Sequence, residues 1–202
     1  MIKVGICGGI GGGKSTVCAM LAERGVAVYD SDSRAKALMC SLPDIKAQII
    51  DCFGEQSYIG DVPNRRFLAD AVFGHSERLA QLNAIIHPAV RSDFERWAAC
   101  QSGDYVVLES AILFESGFDR CVDVSVAVLA PRPIRIARAM QRDGAVRERI
   151  EARMAEQMSD DELAARADIA IVNIDRADLE RDVAELDGRL RQAAMRRRIE
   201  AQ

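Results

Sequence analysis

The segment Gly8-Gly9-Ile10-Gly11-Gly12-Gly13-Lys14-Ser15 constrains this chain more than any other feature of its sequence. It matches the pattern G-x-x-x-x-G-K-[ST], and it lies between a strand-like apolar run and a helical pattern. Glycines let such a loop turn its backbone N–H groups inward around a phosphate, and the N-terminus of the following helix adds partial positive charge. The segment therefore predicts a nucleoside triphosphate site formed by Gly9, Gly11, Gly12, Gly13, Lys14, Ser15 and Thr16.

This phosphate-binding loop (P-loop) also narrows the class of protein. Lys14 is expected to reach the β- and γ-phosphates, and the Ser15 hydroxyl is expected to ligate Mg²⁺. A GTPase would be expected to carry the guanine-reading sequence N-K-x-D, which none of the three asparagines begins. A motor ATPase usually needs a larger core. The length of 202 residues instead fits a small-molecule kinase.

Composition argues against several other classes of protein. Hydrophobic residues make up 49% of the chain and charged residues 29%, which is typical of a globular domain. The net charge of −4 argues against a nucleic-acid or membrane-surface binder. No apolar run approaches the roughly 18 residues of a membrane span, so a cytoplasmic location is expected. The six cysteines form no C-x-x-C pair and the chain has only two histidines, so neither zinc sites nor disulfides are expected.

Five apolar runs predict a parallel α/β sheet, because they are rich in valine and isoleucine and alternate with helical patterns. They cover residues 2–7, 26–29, 105–108, 122–129 and 169–172. The chain is predicted to be one domain with a core of residues 1–30, 101–130 and 159–202. A helical insertion over residues 31–100 and a helical lid over residues 131–158 complete it.

The segments between these runs predict helices whose ends are marked by glycine, proline or a loop. The first, at residues 14–24, ends at Gly25. Those of the insertion cover residues 34–40, 44–53, 66–73 and 77–99, and are broken at Pro43, at the loop 54–63 and at Pro88. The lid contains helices 134–142 and 147–158, separated at Gly144, and a last helix covers residues 177–198.

Carboxylates follow two of the predicted strands, at the edge of a parallel sheet where ligands bind. In Asp30-Ser31-Asp32, one carboxylate could accept a proton from an acceptor hydroxyl while another holds waters of Mg²⁺. The alternative is that Asp30 or Ser31 caps the next helix. Glu109 ends the third strand, where it would contact Mg²⁺ or its waters. The alternative is an ordinary carboxylate at a strand end.

Seven arginines lie within a short stretch of the predicted lid, from Arg132 to Arg153. Arg135, Arg138 and Arg142 share one helix face by their spacing. Arginine forks suit a transferring phosphate because they stabilise charge on its oxygens, and this interpretation is favoured for Arg138 and Arg142. The alternative is a basic helix face exposed to water.

The order and spacing of eight segments resemble the dephospho-CoA kinase family along the whole chain. They are G-I-C-G-G-I-G-G-G-K-S-T, V-Y-D-S-D-S-R-A, N-R-R-F-L, I-I-H-P-A-V, A-I-L-F-E, R-A-M-Q-R-D-G, A-E-Q-M and A-D-I-A-I-V-N. The resemblance implies an α/β P-loop kinase core with a five-stranded parallel sheet, a helical acceptor-binding insertion and a helical lid. It also implies phosphorylation of the ribose 3′-hydroxyl of dephospho-CoA by ATP and Mg²⁺, the last step of coenzyme A biosynthesis.

The resemblance further implies roles for single residues. Asp32 matches the base for the 3′-hydroxyl, and Arg138 and Arg142 match lid arginines. Asn173 lies where the family approaches the adenine of ATP. The acceptor side is matched by Cys7, Arg65, Glu115 and His87 in a His87-Pro88 turn. A structural imidazole is the alternative for His87.

Three residues depart from the family's usual pattern: Cys7 replaces a common threonine, Ala111 a proline, and Val172 an aspartate. The expected function is dephospho-CoA kinase, acting as a monomer or weak homo-oligomer. A nucleoside or nucleotide kinase and a regulatory module that binds a nucleoside triphosphate without an acceptor are the alternatives.

Overall fold

The computed structural model describes residues 1–200, and strands and helices alternate along them. In chain order the elements are β1 (Ile2–Cys7), α1 (Lys14–Glu23), β2 (Ala27–Asp30), α2 (Ser31–Ser41), α3 (Pro43–Phe53), β3 (Tyr58–Ile59), β4 (Val62–Pro63), α4 (Arg65–Val72), α5 (Ser76–Ala99), β5 (Tyr105–Glu109), β6 (Val124–Leu129), α6 (Arg132–Asp143), α7 (Arg147–Ala155), α8 (Asp160–Arg166), β7 (Ile169–Val172) and α9 (Arg176–Glu200). The chain divides into two compact units, Met1–Tyr29 with the chain from Ala98 onward, and Asp30–Trp97. None of the helices within residues 1–200 is both long enough and apolar enough to span a membrane.

The first unit is built on a five-stranded parallel sheet, which confirms the predicted fold class. The strand order is β2-β5-β1-β6-β7, so β1 lies in the middle of the sheet. Ile6 is paired with Glu109 of β5, and Cys7 with Ala127 of β6. The P-loop therefore leaves the sheet between β5 and β6, at the edge where both neighbouring strands end.

Helices α1 and α9 complete the core of this unit. Val17 and Leu21 of α1 and Val183 of α9 are fully buried in one apolar cluster with β1, β5, β6 and β7. The Tyr105 hydroxyl donates a hydrogen bond of 2.8 Å to Asp187 of α9. Burial of apolar side chains from both helices and from the sheet fixes the position of α1, which begins in the P-loop.

The second unit, Asp30–Trp97, contains helices α2, α3 and α4, most of α5, and a small hairpin. The sequence predicts a plain loop over residues 54–63, and this is wrong, because β3 and β4 pair within it as an antiparallel hairpin. Tyr58 anchors the hairpin: its ring is buried and its hydroxyl donates to the Met39 carbonyl at 2.8 Å. The strands are two residues long, so they carry too little pattern to be read from sequence.

Helix α5 runs without interruption from Ser76 to Ala99, with Pro88 inside it. The predicted break at Pro88 is wrong, and so is the predicted His87-Pro88 turn, because both residues lie within the helix. Proline removes one backbone hydrogen bond and crowds the preceding turn. The buried face formed by Ile86, Val90 and Phe94 continues on both sides of Pro88 and holds the helix together.

Two helix boundaries also differ from the prediction. Helix α2 begins at Ser31, three residues earlier than expected, because Asp30 caps it. The predicted helix 147–158 ends at Ala155, and a separate helix α8 begins at Asp160. Ser159 and Glu162 form a reciprocal capping box at its start, a signal that the S-x-x-E spacing carries in the sequence.

Candidate active site

The P-loop connects β1 to α1 and is closed by hydrogen bonds of its own backbone. The Gly12 N–H donates to the Gly9 carbonyl at 3.0 Å. Gly13 caps α1 with a φ of 100°, in the left-handed region that a glycine adopts without strain. The Lys14 ammonium donates to the Gly8 carbonyl at 2.7 Å, which holds its charge against the loop. The loop, its lysine and a helix N-terminus together form a site that suits phosphate oxygens.

Ser15 and Glu109 lie side by side next to this loop. The Ser15 hydroxyl donates to the Glu109 carboxylate at 2.8 Å. Hydroxyl and carboxylate oxygens are ligands that Mg²⁺ accepts, and in kinases the ion completes its shell with phosphates and water. The pair that the sequence proposes as metal ligands is therefore brought together, and its donor atoms fit the ion.

Asn173 ties the end of β7 to the P-loop. Its side-chain amide donates to the Gly12 carbonyl at 2.9 Å, and its backbone N–H donates to Leu129 at 2.7 Å. Only 4% of Asn173 is exposed. A Cβ on Gly13 would lie 1.9 Å from the Asn173 amide nitrogen, so this approach requires glycine. Asn173 therefore supports the backbone of the loop.

Arg138 and Arg142, which the sequence groups as two lid arginines, have different surroundings. Arg138 donates to the backbone carbonyls of Asn173 and Ile174 at 3.0 and 3.3 Å. Arg142 pairs with the neighbouring Asp143 at 2.6 Å, and 62% of its side chain is exposed. That hydrogen bond raises the pKa of the Arg142 guanidinium. Arg138 therefore stabilises the segment at Asn173, while Arg142 presents its charge to solvent.

Arg135 and Gln157 contact the P-loop directly, although the sequence gives neither a role in the site. Arg135 donates to the Ile10 carbonyl at 2.9 Å, and the Gln157 side chain accepts from the Ile10 N–H at 2.9 Å. Helical spacing places Arg135 on one face with Arg138 and Arg142 but does not show what that face contacts. Gln157 belongs to the A-E-Q-M segment, which is the sequence signal that could have pointed to it.

In the second unit, the structure decides which residue caps helix α2. The Asp30 carboxylate caps α2, accepting from the backbone N–H groups of Asp32 and Ser33 at 3.0 and 3.1 Å. It also accepts from the Ser33 hydroxyl at 2.5 Å. Asp32 is exposed in the first turn of the helix, and its carboxylate is not used for the cap. The capping role therefore falls to Asp30.

The residues proposed for the acceptor side are spread over several elements. Arg65 is exposed at the first position of α4, and His87 is half-buried in α5. Burial and, second, the nearby charge of Arg91 lower the pKa of His87. Glu115 is exposed and accepts from the Met158 N–H at 3.3 Å. Cys7 is fully buried, and this burial raises the pKa of its thiol to about 12, so it stays a neutral thiol.

A sequence model of the dephospho-CoA kinase family matches residues 2–178. The chain belongs to this family. Among relatives, the dephospho-CoA kinase of Bacteroides fragilis is 43% identical over 173 residues, which cover 85% of this chain and 84% of the relative. The dephospho-CoA kinase of Salinibacter ruber is 42% identical over 191 residues, or 92% and 96% of the two chains. A crystal structure of TT1252 from Thermus thermophilus superposes with a TM-score of 0.82 at 35% identity and covers 94% of this chain and 97% of that chain.

The structure shows the surroundings of Cys7, Ala111 and Val172, the three residues that depart from the usual pattern of the dephospho-CoA kinase family. At Cys7 the side chain is enclosed in the sheet. Ala111 lies in a turn that remains hydrogen-bonded, since the Ser116 hydroxyl donates to the Ile112 carbonyl at 2.6 Å. Val172 is 50% exposed, so its side chain points away from the amide contact of Asn173. None of the three residues belongs to the loop 8–15 or to the Ser15–Glu109 pair.

Proposed function

We propose that this protein transfers the γ-phosphate of ATP to the 3′-hydroxyl of the ribose of dephospho-CoA and forms CoA and ADP. The observation that carries the proposal is the Ser15–Glu109 contact of 2.8 Å beside a P-loop, in a chain of the dephospho-CoA kinase family. The reaction is the final step of coenzyme A biosynthesis. Phosphoryl transfer needs mainly positioning and electrostatic stabilisation, and the P-loop supplies both for the donor nucleotide.

The donor side is assigned to the P-loop and its neighbours. The loop residues Gly9 and 11–16 form the phosphate site, and the Lys14 ammonium binds the β- and γ-oxygens. Ser15 and Glu109 hold Mg²⁺, which neutralises charge on the phosphates when it is bound. Asn173 is assigned to the adenine side of the ATP site, and its side-chain amide also holds the Gly12 carbonyl of the loop.

The acceptor side is assigned to side chains outside the P-loop. Asp32 accepts the proton of the 3′-hydroxyl, as its free carboxylate allows. Arg65, His87 and Glu115 bind dephospho-CoA, whereas the buried Cys7 acts only in packing. Arg142 stabilises charge on the transferring phosphoryl group, and Arg138 contributes by holding the chain at Asn173.

An assay of ADP release over a panel of acceptors tests the proposal. Dephospho-CoA should stimulate ADP release strongly, while AMP, CMP, dTMP and adenosine should not. Strong turnover with one of the other acceptors would favour a nucleoside or nucleotide kinase. Slow hydrolysis that no acceptor changes would favour a regulatory module.

We also propose that the protein works in the cytoplasm as a monomer or weak homo-oligomer, with no nucleic-acid or membrane partner. The net charge of −4 supports the absence of these partners. Light scattering on a size-exclusion column, over a range of protein concentrations, measures the oligomeric state. A tight oligomer that persists on dilution would contradict this part of the proposal.

A further inference from the structure

Both polar groups of Ile10, in the turn of the P-loop, are held by distant side chains. The Ile10 carbonyl accepts from Arg135 Nε at 2.9 Å, and the Ile10 N–H donates to Gln157 Oε1 at 2.9 Å. These partners lie 125 and 147 positions further along the chain. Rotation of either peptide beside Ile10 would break one of the two bonds. The contacts therefore fix the orientation of the loop backbone.

Arg135 is itself fixed in place. Only 5% of the residue is exposed, and its Nη1 donates to the carboxylate of Asp160. Asp160 is the first residue of α8, whose start is set by the capping box of Ser159 and Glu162. A buried arginine with a hydrogen-bonded partner holds its geometry more rigidly than an exposed one, because leaving the pair would strand a charge.

Both the guanidinium group and the backbone of Arg135 pack against the loop. A Cβ on Gly9 would lie 1.9 Å from Arg135 Nη2, and a Cβ on Gly11 would lie 2.2 Å from the Arg135 carbonyl oxygen. The Ile10 side chain packs against an apolar cluster of Ile136, Ala139, Ile150 and Met154 from helices α6 and α7. The turn of the loop therefore packs against helices α6 and α7 through both polar and apolar contacts.

The glycine content of the P-loop makes the contacts with Arg135 and Gln157 important for nucleotide binding. Five glycines surround Ile10, and glycine is the residue that loses most conformational freedom when it is ordered. A loop left free would have to be ordered when the nucleotide binds, which weakens binding. A loop already held by Arg135 and Gln157 avoids that loss.

We propose that Arg135 is a positioning residue for the donor nucleotide, and that with Gln157 and Asp160 it holds the P-loop in its phosphate-binding conformation. The inference rests on the proposed function only in taking the P-loop as the nucleotide site. Arg135 acts through the backbone of Ile10. Its charge is paired with Asp160, so its main effect is on the shape of the loop.

The test is the dissociation constant of Mg-ADP, measured by calorimetry on the full chain with three variants. Arg135→Met removes the hydrogen bonds to Ile10 and Asp160, and Arg135→Lys keeps the positive charge but lacks the several N–H donors of the guanidinium group. Arg132→Met is the matched control, since Arg132 lies on the same helix, is 60% exposed, and is 3.8 Å from its partner Glu151. We expect Arg135→Met to weaken Mg-ADP binding about 10–100-fold, the range observed when a group that orients a metal ligand is lost. Arg135→Lys should be intermediate and the control should match the wild type.

A second variant separates positioning from folding. Arg135→Met with Asp160→Asn removes both charges of the pair, so no buried charge is stranded. It should fold and still bind Mg-ADP weakly. The KM for dephospho-CoA should stay within about twofold, because no residue proposed to bind the acceptor lies in the turn at Ile10. Wild-type affinity in this folded double variant, or a change in melting temperature alone, would overturn the inference.

The outcomes also separate this inference from the proposed function. If the wild type binds Mg-ADP but transfers no phosphate to dephospho-CoA, the proposed function fails, and the variants still decide the role of Arg135. If the wild type phosphorylates dephospho-CoA and all variants bind Mg-ADP equally, only the positioning role fails. A wild type that binds no nucleotide would overturn both.

Discussion

The Ser15 hydroxyl lies 2.8 Å from the Glu109 carboxylate, although 94 positions separate the two residues in the chain. The register of the sheet explains the contact: Glu109 is paired with Ile6, so β5 ends beside the strand that leads into the P-loop. Two short-range patterns, a glycine-rich loop and an acid at a strand end, are therefore joined by strand pairing into one candidate metal site.

Glu109→Gln keeps the size of the side chain and removes its charge. We expect the Mg²⁺ concentration needed for half-maximal activity to rise about 10–100-fold, because the lost carboxylate orients or binds the ion. Activity titrated against Mg²⁺ measures this. Glu23→Gln on the exposed face of α1 is the control and should not shift the titration. An unchanged Mg²⁺ requirement in Glu109→Gln would leave Glu109 as an ordinary carboxylate at a strand end.

Arg138→Ala and Arg142→Ala should differ, because the two guanidinium groups have different partners. Arg138 holds the carbonyls of Asn173 and Ile174, so its removal should lower the melting temperature and raise the KM for ATP. Arg142 is exposed, so its removal should lower kcat by about 10²-fold or more with little change in melting temperature. Thermal melting and steady-state kinetics on both variants distinguish the two effects. Equal effects of the two variants on all three quantities would contradict this division.

Asp32→Asn and Asp30→Ala separate the base from the cap. Asp30→Ala removes the N-cap of α2 and should cost about 1 kcal/mol of unfolding free energy. Asp32→Asn leaves the cap in place and should lower kcat about 10²-fold, the low end for a general base, because a loose transition state needs little deprotonation. Urea unfolding and kcat at saturating ATP are the measurements. An Asp32→Asn enzyme within about twofold of the wild-type kcat would remove Asp32 as the base.

His87 should make the folded protein less stable in mild acid. Burial and the nearby Arg91 lower the pKa of His87 from its ordinary value of 6.5, so the unfolded chain binds a proton that the folded chain resists. Stability is then complete above pH 6.5 and falls as the pH drops through that value toward the folded-state pKa. His87→Gln should show a shallower loss between about pH 7 and 5 in urea unfolding. NMR titration of the imidazoles, assigned with His75→Gln, checks the direction, and a His87 pKa above 6.5 would contradict it.

The positions of the strands along the chain and of the P-loop could be predicted from the sequence, because each depends on a local pattern. Runs such as residues 2–7 and 169–172 carry their own hydrophobic signal, and both strands appear at those bounds. Pro88 misleads because the local penalty of proline is outweighed by a buried helix face that extends on both sides of it. The buried face depends on tertiary packing, which no local window contains.

The same distinction holds in the candidate site. Lys14, Ser15 and Glu109 follow from motif and strand position, so the sequence indicates them. Arg135 and Gln157 reach the P-loop through the packing of helices that lie more than a hundred residues away. An arginine on a helix face has the same spacing whether it contacts solvent or a buried carbonyl, so the sequence alone does not distinguish the two.

At the end of β7 and just after it, the side chains alternate between buried and exposed positions. Ile171 and Asn173 are 5% and 4% exposed, whereas Val172 and Ile174 are 50% and 55% exposed. Removing a single residue from this strand would exchange the two faces, because side chains alternate with a period of two. The Asn173 amide would then leave Gly12 for solvent, and an apolar side chain would take its place against the loop. This stretch can therefore vary in the identity of its outward residues during evolution, but it cannot vary in length.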